Sequence, residues 1–167
     1  MTIADSKAKA TGFLRSTLCF LRDNNRILLA MKKRGFGVGK WNGVGGKVKD
    51  GESVYEAMVR ETFEEVGVTV KESQKVAELV FYNYDGSNSL DANMLVDVYI
   101  ATAWDGDPIE SDEMAPKWFD LSNLPYDQMW SDDRYWLPEI LKGRRVRFSA
   151  LFSGDGEQME EHLIENY

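Results

Sequence analysis

The chain has 167 residues, a net charge of −8 and 43% hydrophobic residues. This length predicts a single domain over residues 1–167 that buries its own core, with disorder left open for residues 1–12. The acidic balance argues against binding to nucleic acid polymers or anionic membranes, because those interactions need clustered Lys and Arg side chains.

The numbers of cysteines and histidines and the absence of long apolar runs limit the cellular location and the type of catalysis that the sequence allows. Cys19 is the single cysteine, so an internal disulfide is excluded and a reducing, cytoplasmic location is expected, or the nucleus or mitochondrion in a eukaryote. The absence of a secretory h-region and of any apolar run of about 18 residues predicts no membrane span. His162 is the single histidine, and we interpret it as a surface or packing residue rather than a catalytic base.

The first segments in chain order predict a β-hairpin and a glycine-rich loop. Residues 14–20 and 26–31 are apolar and β-prone, and a polar turn at residues 22–25 separates them. Residues 34–46 follow with repeated glycines and predict a loop with unusual backbone angles. Residues 24–49, which include this loop, carry seven basic and no acidic side chains, a charge distribution that suits a polyphosphate ligand.

The next segment predicts a helix over residues 54–66. Ser53 and Glu56 have capping-box spacing at its start, and Gly67 is the residue type that ends a helix in a left-handed conformation. A stripe of side chains predicts core packing and consists of Tyr55, Met58, Val59, Thr62 and Val66. Three carboxylates fall on another face, within an arc of about 100°; they belong to Glu61, Glu64 and Glu65.

The remaining segments predict strands and a second helix. Strands are predicted at residues 76–84, 94–103 and 118–121, with a turn at residues 85–91. A helix is predicted over residues 132–141, where Pro138 either kinks it or marks a late start. Residues 146–152 and 158–164 flank a turn at residues 154–156 and predict a hairpin, with a short helix for the second run as the alternative. These elements predict an α+β fold in which a mixed β-sheet packs between helices as an α/β/α sandwich.

A metal ion would explain three glutamates on one helical face. Like charges at this spacing weaken an isolated helix. A hard cation such as Mg²⁺ is instead bound by one or two carboxylates, while substrate phosphates complete its coordination. The spacing alone leaves an alternative, a solvated acidic surface on which Arg60 pairs with Glu56 or Glu64.

The spacing around this helix resembles the Nudix box. Residues 46–68 read GKVKDGESVYEAMVRETFEEVGV. The fixed positions of the box are occupied by Gly46, Glu52, Arg60, Glu61, Glu64, Glu65, Gly67 and Val68. Thr62 stands where the family has an apolar residue, which is a mild departure. The resemblance implies hydrolysis of a phosphoanhydride with Mg²⁺, for which Mn²⁺ can substitute.

The same resemblance assigns roles to individual residues. It implies that Glu61, Glu64 and Glu65 are metal ligands or the general base, and that the Gly45 carbonyl joins the metal site. It also implies that Arg60 orients the carboxylates and that Glu52 ties the preceding loop to the helix.

Two further stretches, residues 31–48 and 110–136, resemble the MutT-homologue group of Nudix hydrolases that act on oxidised purine nucleoside triphosphates. The likeness runs from Thr17 to about Gly143 and fades at both ends of the chain. It implies hydrolysis of 8-oxo-dGTP, 2-hydroxy-dATP or a related nucleotide to the monophosphate and pyrophosphate, which sanitises the nucleotide pool. We expect a monomer whose partner is this small molecule. The implied substrate-binding residues are Thr17, Lys32, Phe36, Asn42, Phe81, Met114, Trp130, Asp132 and Asp133, and Glu113 would join the metal site.

The chemistry of these side chains suits a purine. The aromatic faces of Phe36 and Trp130 can stack on a base, and Asn42 offers both a donor and an acceptor to its edge. Asp132 and Asp133 can accept from ring N–H groups, and we hypothesise that they share one proton if they are close and partly buried. The alternative for Asp132 is a helix N-cap, with Asp133 in the first turn.

Three other functions remain open at this point. A Nudix hydrolase could act on another nucleoside diphosphate derivative, such as ADP-ribose or a dinucleoside polyphosphate. A Nudix module could also bind a nucleotide without turnover, although the intact glutamates argue against it. An isopentenyl diphosphate isomerase needs a cysteine and metal-binding histidines that one of each supplies poorly. The preferred damaged purine and the identity of the base among the three glutamates stay undecided.

Overall fold

The computed structural model describes residues 1–154 and 158–167. Its α-helices, β-strands and short 3-10 helix are, in chain order, α1 (Ile3–Lys9), β1 (Leu14–Asp23), β2 (Arg26–Lys32), β3 (Trp41–Asn42), α2 (Val54–Val66), β4 (Thr69–Tyr82), β5 (Asn93–Asp105), β6 (Met114–Asp120), a 3-10 helix (Tyr126–Gln128), α3 (Asp133–Leu141), β7 (Val146–Ser153) and β8 (Gln158–Asn166). Parallel and antiparallel pairs occur together with helices, so the predicted α+β class with a mixed sheet is confirmed. None of the described helices combines the length and apolar character needed to cross a membrane.

Backbone contacts divide the chain into two compact units. The first unit contains Met1–Ser16, Val76–Asp97 and Ser131–Tyr167, and the second contains Thr17–Lys75 and Val98–Trp130. The single domain expected from the length stays a prediction, and each unit is described by itself below.

The second unit is built around β2. Antiparallel pairing with β6 sets Lys32 opposite Met114, and pairing with β3 sets Met31 opposite Trp41. The predicted β1–β2 hairpin is present, with Arg22 opposite Ile27. The glycine-rich segment is therefore not a loop throughout, because β3 interrupts it to pair with β2.

Helix α2 has the predicted bounds, and of the five side chains predicted to face the core Met58, Thr62 and Val66 are buried and Val59 packs against the core. The Ser53 hydroxyl accepts from the Glu56 N–H at 3.1 Å, and Gly67 ends the helix at φ 76°. Tyr55, predicted to face the core, is 48% exposed, whereas Ala57 and Glu65 are buried. The buried arc is thus rotated towards Glu65. Its apolar part packs in one cluster with side chains from the strands, including Met58, Val66, Leu21, Leu28 and Tyr99.

The first unit contains the C-terminal hairpin. Strand β7 pairs in parallel with β4, with Leu79 opposite Phe148, and antiparallel with β8, with Phe148 opposite Ile164. The predicted hairpin is confirmed and the short-helix alternative is wrong. Of the turn predicted at residues 154–156, positions 155 and 156 lie outside the described residues.

The structure decides two points left open for the N-terminal segment and for α3, and α3 ends at the predicted residue. Residues 1–12, for which disorder was left open, include α1, whose Ile3 side chain packs with Tyr82 and Leu151. Helix α3 runs through Pro138 to Leu141. The proline is therefore not a late start for this helix.

Candidate active site

Arg60 of α2 binds three carboxylates and a backbone carbonyl. Its Nε and Nη2 atoms donate to the two oxygens of Glu52 at 2.7 and 2.9 Å, and Nη1 donates to Glu61 at 2.8 Å and to Glu64 at 3.2 Å. Nη2 also donates to the carbonyl of Lys47 at 3.0 Å. These bonds lower the pKa of Glu52 to about 2 and raise the pKa of Arg60, so both groups stay charged.

The three glutamates of α2 differ in exposure. The side chain of Glu64 is 52% exposed and that of Glu61 is 16% exposed, while Glu65 is buried at 8%. A solvated acidic surface therefore describes Glu64 but not the other two. Of the pairs that spacing allowed for Arg60, the structure contains the one with Glu64.

Glu65 is a carboxyl in a site that opposes its ionisation. The pKa of Glu65 is raised to about 8, mainly because the carboxyl is buried. The hydrogen bond that Glu65 accepts from the Gly45 N–H at 3.1 Å lowers this pKa, and the nearby charge of Glu61 raises it. Lys32 lowers and Glu113 raises the same pKa to smaller extents. The charges of three other predicted site residues, Glu61, Lys32 and Glu113, therefore act on Glu65.

Two glycines allow the loop before α2 to come this close. A Cβ at Gly45 would overlap the Thr17 carbonyl, and a Cβ at Gly46 would overlap the Glu61 carboxylate. The Gly46 carbonyl accepts from the Thr17 N–H at 2.9 Å. Any larger residue at either position would separate the loop from β1 or from α2.

The donor set fits a hard divalent cation in its chemistry. Oxygen ligands are available from Glu61, Glu64 and Glu65 and from Glu113, and oxygen is what Mg²⁺ and Mn²⁺ prefer. Across residues 1–154 and 158–167, however, no three acidic, histidine or cysteine side chains converge as a metal-binding group. Instead the carboxylates turn to Arg60 and to the Gly45 N–H, and Glu113 lies 3.7 Å from Arg34.

An aromatic pair lies in the same unit. The rings of Phe36 and Trp130 stack with centroids 5.1 Å apart and an interplanar angle of 30°. Lys40 Nζ lies 5.0 Å from the centroid of Trp130, a contact for which the sequence held no spacing signal. Asn42 Oδ1 accepts from the N–H of Gly43 at 2.9 Å. Asn42 can therefore still offer a ligand its NH₂ donors and the second lone pair of Oδ1.

Two predicted pocket residues are packed inside the second unit. Thr17 is 2% exposed and Met114 is 6% exposed, and Met114 belongs to the same core cluster as Met58. Their burial follows from positions on β1 and β6, where the pairing partners could not be read from the sequence. In this structure both side chains are buried, and the Thr17 hydroxyl donates to the Gly46 carbonyl at 3.5 Å. Contact of either residue with a nucleotide stays a prediction.

The first unit holds the two predicted aspartates, both buried. Asp132 and Asp133 are 4% and 3% exposed. Asp132 occupies the N-cap position of α3 without a side-chain capping bond, and its Oδ2 accepts from Trp136 Nε1 at 2.8 Å. Burial raises the pKa of Asp132, against the lowering effect of hydrogen bonds with Trp136 and Asp133. Asp132 therefore lies at the N-cap position of α3, but its side chain does not cap the helix.

The first unit also contains a contact of the predicted pocket residue Phe81 and the hydrogen-bond partner of Asp132. Phe81 meets Phe152 edge to face with centroids 5.7 Å apart. Trp136, the hydrogen-bond partner of Asp132, was not among the predicted site residues. Its i, i+4 spacing from Asp132 on a helix was the signal that could have found it.

Comparisons with known proteins agree with one another. A family model described as NUDIX domain matches residues 12–140. The chain is 43% identical to the oxidized purine nucleoside triphosphate hydrolase of Danio rerio over 149 residues, which cover 89% of this chain and 93% of the relative. The enzyme of the same name from Mus musculus is 43% identical over 129 residues, covering 77% and 80%. The crystal structure of a mutator MutT protein from Bacillus halodurans matches with a TM-score of 0.80 at 24% identity, covering 92% and 98% of the two chains.

Replacing Glu65 by Gln should change how stability depends on pH when divalent cations are removed with EDTA. The folded-state pKa of about 8 lies above the ordinary 4.5, so the folded state binds the proton more tightly than the unfolded chain. The stabilisation from the protonated carboxyl is complete below pH about 4.5 and is lost as the pH rises through about 8. Wild type should therefore lose free energy of unfolding across this window relative to Glu65→Gln, as measured by urea denaturation.

The matched control is Glu56→Gln, since Glu56 is an exposed carboxyl on the same helix. Its pH profile should run parallel to that of wild type. A Glu65→Gln profile that also ran parallel to wild type would contradict the assignment of Glu65 as a carboxyl that is costly to ionise.

Proposed function

Because this chain belongs to the Nudix family, we propose that it hydrolyses oxidised purine nucleoside triphosphates, such as 8-oxo-dGTP or 2-hydroxy-dATP, to the monophosphate and pyrophosphate. The observation that carries the reaction is the set of α2 carboxylates held by Arg60 beside Gly45. The substrate class is supported by the two relatives that are 43% identical and named for that activity. Such hydrolysis removes damaged precursors before they enter DNA.

Mg²⁺, replaceable by Mn²⁺, is the proposed cation. Glu61, Glu64, Glu65 and Glu113 would hold it together with the carbonyl of Gly45. When bound, a divalent cation neutralises phosphate charge and lowers the pKa of a coordinated water. Its positive charge would also favour the ionised form of Glu65, which burial disfavours.

The chain's own residues orient the reaction. Arg60 fixes the directions of Glu61 and Glu64, and Lys32, whose charge already reaches Glu65, would bind the phosphates. In hydrolysis a water oxygen bonds to one phosphorus of the α,β bridge, and the bond from that phosphorus to the bridging oxygen breaks. The water proton passes to one of the three glutamates. Attack at the α-phosphorus expels pyrophosphate and attack at the β-phosphorus expels the monophosphate, so both routes give the same two products.

Recognition of the base would use groups outside α2. Phe36 and Trp130 supply aromatic faces, and Asn42 supplies both a donor and an acceptor. In 8-oxoguanine, N7 carries a proton and becomes a donor, so acceptors such as Asp132 and Asp133 gain a hydrogen bond with the lesion that normal guanine lacks. If these two carboxyls share one proton, the neutral one can donate to the purine O6 at the same time. Their burial and the hydrogen bond between them support this arrangement.

A kinetic panel tests the substrate. With Mg²⁺, kcat/KM for 8-oxo-dGTP or 2-hydroxy-dATP should exceed that for dGTP and dATP, with pyrophosphate and the nucleoside monophosphate as products. Faster hydrolysis of ADP-ribose or a dinucleoside polyphosphate would replace the proposed substrate while keeping the reaction class. Nucleotide binding without pyrophosphate release, with either cation, would instead identify a non-catalytic module.

Loss of the Glu65 carboxylate should lower turnover. For Glu65→Gln we expect kcat to fall by about 10²- to 10⁴-fold, since a metal ligand or general base contributes on that scale. Steady-state kinetics with 8-oxo-dGTP measure the effect, circular dichroism checks the fold, and Glu56→Gln serves as the control with unchanged kcat. Near-normal turnover of Glu65→Gln would remove Glu65 from the proposed site.

The aspartate pair should control base preference rather than the chemical step. Asp132→Asn and Asp133→Asn each remove the shared proton, so the ratio of kcat/KM for 8-oxo-dGTP to that for dGTP should fall and lose its pH dependence. Raising the pH should lower this ratio in wild type, because the folded-state pKa of Asp132 is raised and its proton is lost only at higher pH. If both variants kept the wild-type ratio of kcat/KM for 8-oxo-dGTP to that for dGTP, and its pH dependence, the shared proton would be excluded.

A further inference from the structure

A cavity of about 320 Å³ lies in the first unit, lined by none of the residues proposed above for catalysis or nucleotide binding. Its walls come from α1, from the turn between β4 and β5, and from the β7–β8 hairpin. Helix α1 and this hairpin fall outside residues 12–140, the part of the chain that the family model matches. The cavity is thus built largely from segments that the family domain does not include.

One wall of the cavity presents a buried hydroxyl without a partner. Ser6 is 8% exposed, and among the described residues its Oγ makes no hydrogen bond. A buried polar group left without a partner is destabilising. Because Ser6 lines the cavity, a ligand there could supply the missing hydrogen bond.

Two opposite charges line the same cavity. Lys9 lies three residues after Ser6, on the same face of α1, and Glu160 lies on β8. Within the part of the chain that the structure describes, neither side chain belongs to an ion pair. Lys9 does interact electrostatically with Asp5 one turn earlier on α1, where it lowers the pKa of that carboxyl. A ligand that contacts Lys9 would therefore share its charge with Asp5.

The other polar side chains of the wall hold the turn in place. Asn83 Nδ2 donates to Asn88 Oδ1 and to the Phe152 carbonyl, both at 3.1 Å. Asn93 Nδ2 donates to the Gly12 and Leu90 carbonyls at 3.1 and 2.8 Å. These bonds hold the Asn83 and Asn93 amides in the turn, whereas the described Ser6 hydroxyl and the charges of Lys9 and Glu160 can contact a ligand.

We propose that this cavity binds a small zwitterion of the amino-acid class with an apolar side chain. The ligand carboxylate would meet Lys9 and Ser6, its ammonium group would meet Glu160, and its side chain would pack against the apolar lining, Leu90, Leu151 and Phe152. An anionic ligand would be attracted by Lys9 but repelled by Glu160, and a cationic ligand would meet the reverse, so a zwitterion can gain at both residues. The volume lies at the lower end of the range for small-molecule sites, about 300 to 1,000 Å³.

Isothermal titration of the full chain without nucleotide tests this proposal. The probes are L-leucine and L-phenylalanine, and isovalerate and isoamylamine carry the two charges of leucine separately. We expect saturable 1:1 binding of at least one amino acid and much weaker binding of the singly charged compounds. Lys9→Met and Glu160→Gln should each weaken binding by about tenfold or more, and Ser6→Ala should weaken it less.

Matched controls separate the site from general surface charge. Lys7→Met on α1 and Glu165→Gln on β8 alter exposed charges that do not line the cavity, so they should bind as wild type does. No binding of either amino acid at about 10 mM, or equal binding by isovalerate, would overturn the proposal. Unchanged affinity in both Lys9→Met and Glu160→Gln would also overturn it. Water could also supply the hydrogen bond that the Ser6 hydroxyl lacks. In that case Ser6→Ala would change the free energy of unfolding, wild type would bind no probe, and the proposal would fail.

Discussion

Arg60 holds together the parts on which the proposed hydrolytic site depends. Its guanidinium joins the loop before α2, through Lys47 and Glu52, to Glu61 and Glu64 on the helix. Carboxylates spaced three and four residues apart repel one another, and Arg60 offsets that repulsion with directed hydrogen bonds. Because Arg60, Glu52 and Glu61 are mostly shielded from water, at 21%, 14% and 16% exposure, these charges are screened less than surface charges.

The close approach of the loop makes Glu65 unusual. Gly45 can lie against β1 only because it has no Cβ, and from there its N–H reaches the Glu65 carboxylate. The same approach removes Glu65 from water and raises its pKa. A single N–H bond does not offset the loss of hydration, so this carboxylate favours a cation. The close approach of Gly45 thus produces a buried carboxylate that a bound cation would stabilise.

Local signals were read correctly from the sequence, and non-local ones were not. The bounds of α2 follow from Ser53 and Gly67, which act on the adjacent turn. The rotation of its buried face towards Glu65 depends on a loop twenty residues earlier, so helical periodicity could not predict it. The burial of Met114 likewise depends on the register between β2 and β6, which only the folded chain defines.

The chemical step and the choice of base make different demands on carboxyl groups. Glu61 and Glu65 need to be ionised to bind a cation, and their surroundings include Arg60 and a backbone donor. Asp132 is buried beside Asp133, where two negative charges would be costly and one proton between them relieves the repulsion. In the proposed function such a pair would present a donor and an acceptor together, which matches the N7–H and O6 edge of 8-oxoguanine but not that of guanine. Under that proposal a change in base preference could arise on α3 while the reaction proposed for α2 stays the same.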